Sequence, residues 1–290
     1  MSENALDRAL PSEDTPIGYL LRLSRPRFWM YLAGPVIVGV AYAATTVEEL
    51  FAPIGIALFL YFVLPANFLL YGINDVFDVE IDEANPKKEE REIRYHGDRL
   101  VPVVVIASAL IGLGFLPFLP GAGIAAMVLF LFLAVQYSAP PFRFKTTPFL
   151  DSASNGLYIL PGVVAYAAIE GAAPPLAAIV GGWLWAMGMH TFSAIPDIEP
   201  DREAGIKTTA TVLGKMPTYG YCGVCWIVAA AVFFTAHPYF LAVFGIYPLF
   251  VAGIATSNIS VDRAYWWFPA LNTVAGMILT LGALWVMLYA

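Results

Sequence analysis

Long apolar runs recur along the chain, broken by short polar stretches at near-regular intervals, with no period-2 alternation to suggest strands. A run of about twenty apolar residues is what a helix needs to cross the hydrocarbon core of a bilayer. Nine such spans are predicted, at about 28–46, 52–74, 101–119, 122–139, 152–169, 175–194, 219–236, 239–257 and 265–289. "PFLPGAG" separates the third from the fourth and "EGAAPP" the fifth from the sixth, both tight Gly/Pro hairpins. The connections after the second and sixth spans are longer and charged. The fold class expected is an all-α polytopic membrane protein, with residues 17–290 forming one membrane domain. Residues 1–16, acidic and Pro-containing, read as a disordered arm without the features of a signal peptide.

Charge adds an orientation. Arg8, Arg22, Arg25 and Arg27 precede the first span, and Lys87, Lys88, Arg91, Arg94 and Arg99 follow the second. Arg143 and Lys145 follow the fourth, Arg202, Lys207 and Lys215 the sixth, and Arg263 the eighth. These are all 15 basic residues, and with nine spans every one falls at the same membrane face. The positive-inside rule then puts the N-terminus in the cytoplasm and the C-terminus outside the cell membrane. Within the spans the polar residues are few; Asn67, Gln136, Asn258 and Asn272 are expected to make interhelical hydrogen bonds.

Composition agrees: 59% of the 290 residues are hydrophobic and 13% charged, with a mean hydropathy of +0.72. The net charge is −7. Such an acidic balance keeps a surface hydrated in high salt, the mark of a halophile, with lineage drift in the loops as the alternative. No nucleic-acid partner is expected. Cys222 and Cys225 have redox-motif spacing but begin an apolar run, where packing is their expected role.

The candidate chemistry lies where two spans end. In "YGINDVFDVEIDEANPKK", residues 71–88, Asp75, Asp78 and Asp82 fall at i, i+3 and i+7, one face of a continuing helix. "HTFSAIPDIEPDREAGIKTTATVLG" adds Asp197 and Asp201 at i, i+4. Four spans separate the clusters, so both lie at the same face. Solvated helix ends are one explanation. The other is a metal site: gathered carboxylates repel without a counter-ion, and oxygen-only donors favour Mg²⁺, which bridges phosphates. Nearby Lys and Arg suit phosphate oxygens. Together they point to ionisation of an allylic diphosphate, with the apolar bundle shielding the carbocation and Tyr71, Phe77 or Tyr137 offering aromatic faces.

Asn74-Asp75-x-x-Asp78-x-x-x-Asp82 resembles the NDxxDxxxD motif of the UbiA superfamily of intramembrane prenyltransferases, and Asp197-x-x-x-Asp201 resembles its DxxxD motif. "YSAPPFRFK", residues 137–145, is similar to the family's fourth–fifth loop. The resemblance implies a UbiA-like bundle with a central cavity capped by cytoplasmic loops. It implies Asp78, Asp82, Asp197 and Asp201 as Mg²⁺ ligands, with Asn74, Asp75, Arg25, Lys145 and Tyr137 binding substrate. The chain departs from the family at His190 and Ala194, where many members have Tyr and Lys, and at "NPKKEEREIRYHG", where an Arg-Pro is common. His190 is either an interhelical hydrogen bond or a general base that ends the reaction.

"RLSRPRFWMYLAGP", "LYGINDVFD", "NPKK" and the stretch around the second motif together resemble the lycopene elongase/1,2-hydratase branch of haloarchaea, which leads to the C50 carotenoid bacterioruberin. That branch implies dimethylallyl diphosphate as donor and lycopene as lipophilic acceptor. The alternatives are a quinone-precursor prenyltransferase, an ether-lipid synthase acting on a glycerol phosphate, and a cation transporter. A transporter would place its acids near the midplane rather than at one interface.

Overall fold

The computed structural model describes residues 10–77, 95, 97–257 and 259–289. The described residues form helices and turns, with no strand among them. After the short α1 (Pro16–Leu23) come α2 (Trp29–Ala43), α3 (Val47–Leu50), α4 (Pro53–Val63) and α5 (Pro65–Phe77). Next are α6 (Leu100–Gly114), α7 (Gly121–Gln136), α8 (Leu150–Ala153), α9 (Leu160–Glu170) and α10 (Leu176–Ser193). The C-terminal part has α11 (Ile198–Glu203), α12 (Thr209–Leu213), α13 (Lys215–Ala236), α14 (Tyr239–Phe244), α15 (Ile246–Thr256) and α16 (Val261–Tyr289).

Six helical runs among the described residues are long and apolar enough to cross a membrane: Val47–Phe77, Leu100–Phe118, Leu150–Glu170, Lys215–Ala236, Tyr239–Thr256 and Arg263–Tyr289. The other three expected spans also contain helices, but these fall outside that set. α2 has 15 residues and α7 has 16, about 23 Å of rise against a hydrocarbon core of about 30 Å. α10 has 18 residues, and Gly181, Gly182, His190 and Thr191 dilute its hydropathy.

The second span is two helices end to end. Pro65 has no N–H to continue the ladder, so the helix breaks at Leu64. Asn67 repairs the break by donating from Nδ2 to the carbonyls of Phe62 and Val63, both at 2.9 Å. Its bond is therefore within the span, not between helices as the sequence suggested. Asn272 does reach across, accepting from Tyr247 Oη at 3.0 Å. Gln136 accepts instead from the Phe142 N–H in the following loop, and Asn258 lies outside the described residues.

Two apolar clusters fill the bundle. One gathers α2, α4, α5, α7 and α9 around Leu32, Phe62 and Phe130. The other gathers α10, α13, α15 and α16 around Phe192, Trp226 and Phe268. Tyr158 packs against both. Without a hydrophobic drive between helices in lipid, close approach of backbones holds such a bundle together. At the crossing of α2 and α9 a Cβ on Gly39 would run into the Gly162 carbonyl, and one on Gly162 would stand 2.8 Å from the Pro35 carbonyl oxygen. Arg27 ties the first helices to α16: its guanidinium stacks 3.6 Å from the Trp266 ring centroid and donates to the Trp266 carbonyl at 3.2 Å.

Gly39→Val must therefore push α2 and α9 apart, at a cost of about 1–3 kcal/mol or more. Its melting temperature in detergent should fall clearly below wild type. Gly121→Ala, where a Cβ meets nothing within 4 Å, should melt with the wild type.

Candidate active site

The first wall of the site is built by the turn between α1 and α2. Thr15 caps α1 by accepting from the Gly18 N–H at 3.1 Å. The helix ends at Ser24, whose Oγ accepts from Trp29 Nε1 at 2.9 Å. Arg25 then takes a left-handed backbone with φ of 53°, which reverses the chain towards α5. Its Nη2 lies 3.0 Å from Asp75 Oδ1, and its guanidinium sits 4.8 Å from the Tyr71 ring centroid. Asp75 is 4% exposed; a carboxylate so buried needs a paired cation. Arg25 pairs with it.

The loop after α7 builds the second wall. The backbone N–H of Lys145 donates to the Tyr137 carbonyl at 3.0 Å, folding the loop back on itself. Arg143, with φ of 45°, reaches across to the Phe77 carbonyl at 3.1 Å. Lys145 Nζ then donates to Asn74 Oδ1 at 3.0 Å, and Ser138 Oγ donates to the same oxygen at 3.0 Å. Tyr137 Oη lies 3.0 Å from His190 Nε2 on α10. Arg25, Asn74, Tyr137, Lys145 and His190 all line one cavity of about 230 Å³. The rest of its wall is largely aromatic and apolar, with Phe28, Tyr31, Tyr71, Tyr158, Tyr265 and Phe268.

The second motif sits where α10 gives way. The helix stops at Ser193, a 3₁₀ turn spans Ile195–Asp197, and Asp201 lies in α11. Asp197 and Asp201 are half-buried and are not part of the cavity wall. Asp78 and Asp82 lie outside the described residues, as do Lys87, Lys88, Arg91 and Arg94. Among the described residues no three His, Cys, Asp or Glu side chains gather as a metal set. Of the aromatics singled out, Tyr71 and Tyr137 line the cavity, whereas Phe77 is 43% exposed and contributes its backbone carbonyl. Cys222 and Cys225 are buried free thiols.

The sequence reading missed Asp151. This buried carboxylate accepts from the Thr209 backbone N–H at 2.9 Å and from the Thr209 hydroxyl, while Thr209 Oγ1 accepts from the Phe149 N–H at 2.7 Å. Beside it Thr191 Oγ1 donates to Ser152 Oγ at 2.7 Å, and Tyr221 Oη donates there at 3.0 Å. Arg202 donates twice to the Thr211 carbonyl, at 3.1 and 2.8 Å. The segment following Lys145 is thus clamped to the segment following Asp201. The only advance signal was a lone acid in the apolar stretch "FLDSASNG".

The profile of the UbiA prenyltransferase family matches residues 32–268. The chain belongs to that family. The lycopene elongase/hydratase of Haloarcula japonica is 62% identical over 98% of this chain and 97% of that protein. That of Halobacterium salinarum is 57% identical over 92% of this chain and 97% of that protein. The structure of a UbiA homologue from Archaeoglobus fulgidus bound to GPP and Mg²⁺ superposes with a TM-score of 0.68 at 21% identity, covering 91% of this chain and 99% of that one. This UbiA-family chain is accordingly a prenyltransferase and a multi-pass membrane protein.

Removing the Asp151 carboxylate strands a buried backbone N–H and a buried hydroxyl on Thr209. Asp151→Ala should cost about 1–3 kcal/mol, read as a lower melting temperature. Limited proteolysis should cut the 202–207 loop faster in this variant than in the wild type.

Proposed function

We propose that this chain transfers a C5 dimethylallyl group from dimethylallyl diphosphate to one end of lycopene and hydrates the adduct, a step towards bacterioruberin. The observation that carries the proposal is the composition of one cavity: Arg25 and Lys145, brought to one side by the neighbouring Asp75 and Asn74, with aromatic rings among the other lining residues. The cationic side suits a diphosphate and the aromatic side a carbocation and a polyene. The names of the haloarchaeal relatives supply the acceptor class.

In this reading Lys145 and Arg25 hold diphosphate oxygens, Lys145 kept in place by Asn74 and Arg25 by Asp75. Asp78, Asp82, Asp197 and Asp201 would offer oxygen donors alone, the set that suits Mg²⁺. When bound, that ion supplies positive charge against the leaving diphosphate. The allylic C–O bond breaks with its electron pair going to the diphosphate. Tyr31, Tyr71 and Phe268 line the space open to the allylic cation and would keep bulk water from it. The terminal double bond of lycopene then attacks, leaving a tertiary cation on the polyene.

The proposal includes nine membrane crossings, with α2, α7 and α10 completing the six longer apolar runs. It also places the N-terminus in the cytoplasm, since all basic residues then share one face with both motifs. The donor would come from the cytosol and the acceptor from the bilayer.

Expression in a lycopene-producing host tests the reading. A polyene longer by five carbons and bearing a tertiary hydroxyl is expected, and unchanged lycopene would refute the acceptor. Asp78→Asn and Asp197→Asn should each lower turnover about a hundredfold or more while the protein stays monodisperse. Chelation should do the same to the wild type, with recovery on adding Mg²⁺. For topology, Gly121→Cys and Ala172→Cys in a background lacking Cys222 and Cys225 should react with an impermeant thiol reagent from outside. Ala204→Cys should react only after permeabilisation; its labelling in intact cells would invert the orientation.

A further inference from the structure

The reaction above ends only when the tertiary cation is discharged, and the cavity wall holds a group suited to that step. Tyr137 Oη and His190 Nε2 are 3.0 Å apart, with rings nearly perpendicular and centroids 5.7 Å apart. Both side chains line the cavity. Tyr137 closes the end of α7, where its carbonyl also anchors the Lys145 loop, and His190 lies in the last turn of α10. The pair therefore stands beside the polar side of the cavity, facing the same space as the aromatic rings.

Acid–base character singles this pair out. Arg25 and Lys145 are cations, and the tyrosines of the wall are weak acids. Among the described lining residues His190 alone carries an imidazole, whose uncharged ring nitrogen can accept a proton.

We propose that Tyr137 and His190 form the proton acceptor that ends the reaction, directing the tertiary cation to water capture. The assignment rests on the lycopene elongation and hydration reading. A water oxygen forms the C–O bond to the cation. One water proton passes to Tyr137 Oη as the tyrosine's own proton passes to His190 Nε2, whose neutral ring carries its hydrogen on Nδ1. The products are a tertiary alcohol and an imidazolium, which returns its proton to solvent before the next turnover. Without this pair the cation gives up a proton from a neighbouring carbon to the departed diphosphate, leaving an alkene.

The test is the ratio of hydrated to alkene product among the elongated polyenes, measured in membranes of a lycopene-producing host. His190→Gln keeps a hydrogen-bonding partner for Tyr137 but no base, so it separates packing from proton transfer. It should lower the ratio about tenfold or more, as should His190→Phe and Tyr137→Phe. A wild-type ratio in His190→Gln overturns the proposal. So does loss of all elongated product from folded variants, because the pair would then serve binding or ionisation. If His190→Phe does not fold, Tyr137→Phe, which removes one oxygen and keeps the ring, decides the matter. Should the wild type itself make no elongated polyene in these membranes, the acceptor reading falls, a result distinct from an unchanged ratio.

Discussion

A charge at the edge of a hydrocarbon core must be paired, and the pairing of Arg25 with Asp75 organises the site. Asp75 is buried at the end of an apolar helix, and an unpaired carboxylate there would cost several kcal/mol. Arg25 meets it at 3.0 Å only because its backbone takes the left-handed conformation, which brings the turn before α2 against α5. The same contact puts the guanidinium over Tyr71. One electrostatic requirement thus sets an arginine, an aromatic face and the approach of two helices.

The cavity occupies the seam between the two apolar clusters. Leu70 and Tyr71 come to it from the N-terminal cluster, Met189 and Phe268 from the C-terminal one, and Tyr158 packs against both. Glycines make the seam possible by letting backbones approach elsewhere: α2 meets α9 at Gly39 and Gly162, and α10 meets Trp226 of α13 at Gly188. Tight crossings at those points leave large side chains to line the space between. A bundle packed evenly by Leu and Val would have no such room.

The helical class, and the arrival of Asn74 and Asp75 near the end of an apolar helix, were legible because hydropathy and the spacing of polar residues are local properties of the chain. The break at Pro65 was legible in principle, but its repair by Asn67 was not, since that bond depends on where the freed carbonyls point. The sixth span was expected to end at about 194, and α10 ends at Ser193, but the 3₁₀ turn at Ile195–Asp197 that carries the second motif was not legible. Asp151 was invisible for a different reason. Its partner Thr209 is 58 residues away, so its role exists only in three dimensions. Of the residues singled out from the sequence, Arg25, Asn74, Lys145, Tyr137 and His190 line one cavity while Asp197 and Asp201 do not, and the bonds among the five were not legible.

Those bonds order the cavity by polarity. Asn74 Oδ1 collects donors from both Ser138 and Lys145, which fixes the lysine ammonium at one end. In the proposed reaction the diphosphate would sit at that end, because a charge moved into the aromatic part would lose both its cations and its water. The carbocation would sit in the aromatic part, where ring quadrupoles stabilise it. Separating the two charges this way opposes their recombination, which is the fastest wasteful path open to an ion pair. In the proposed reaction the Tyr137–His190 contact, on the wall of the same cavity, would meet a water only after the new carbon–carbon bond has moved the charge onto the polyene.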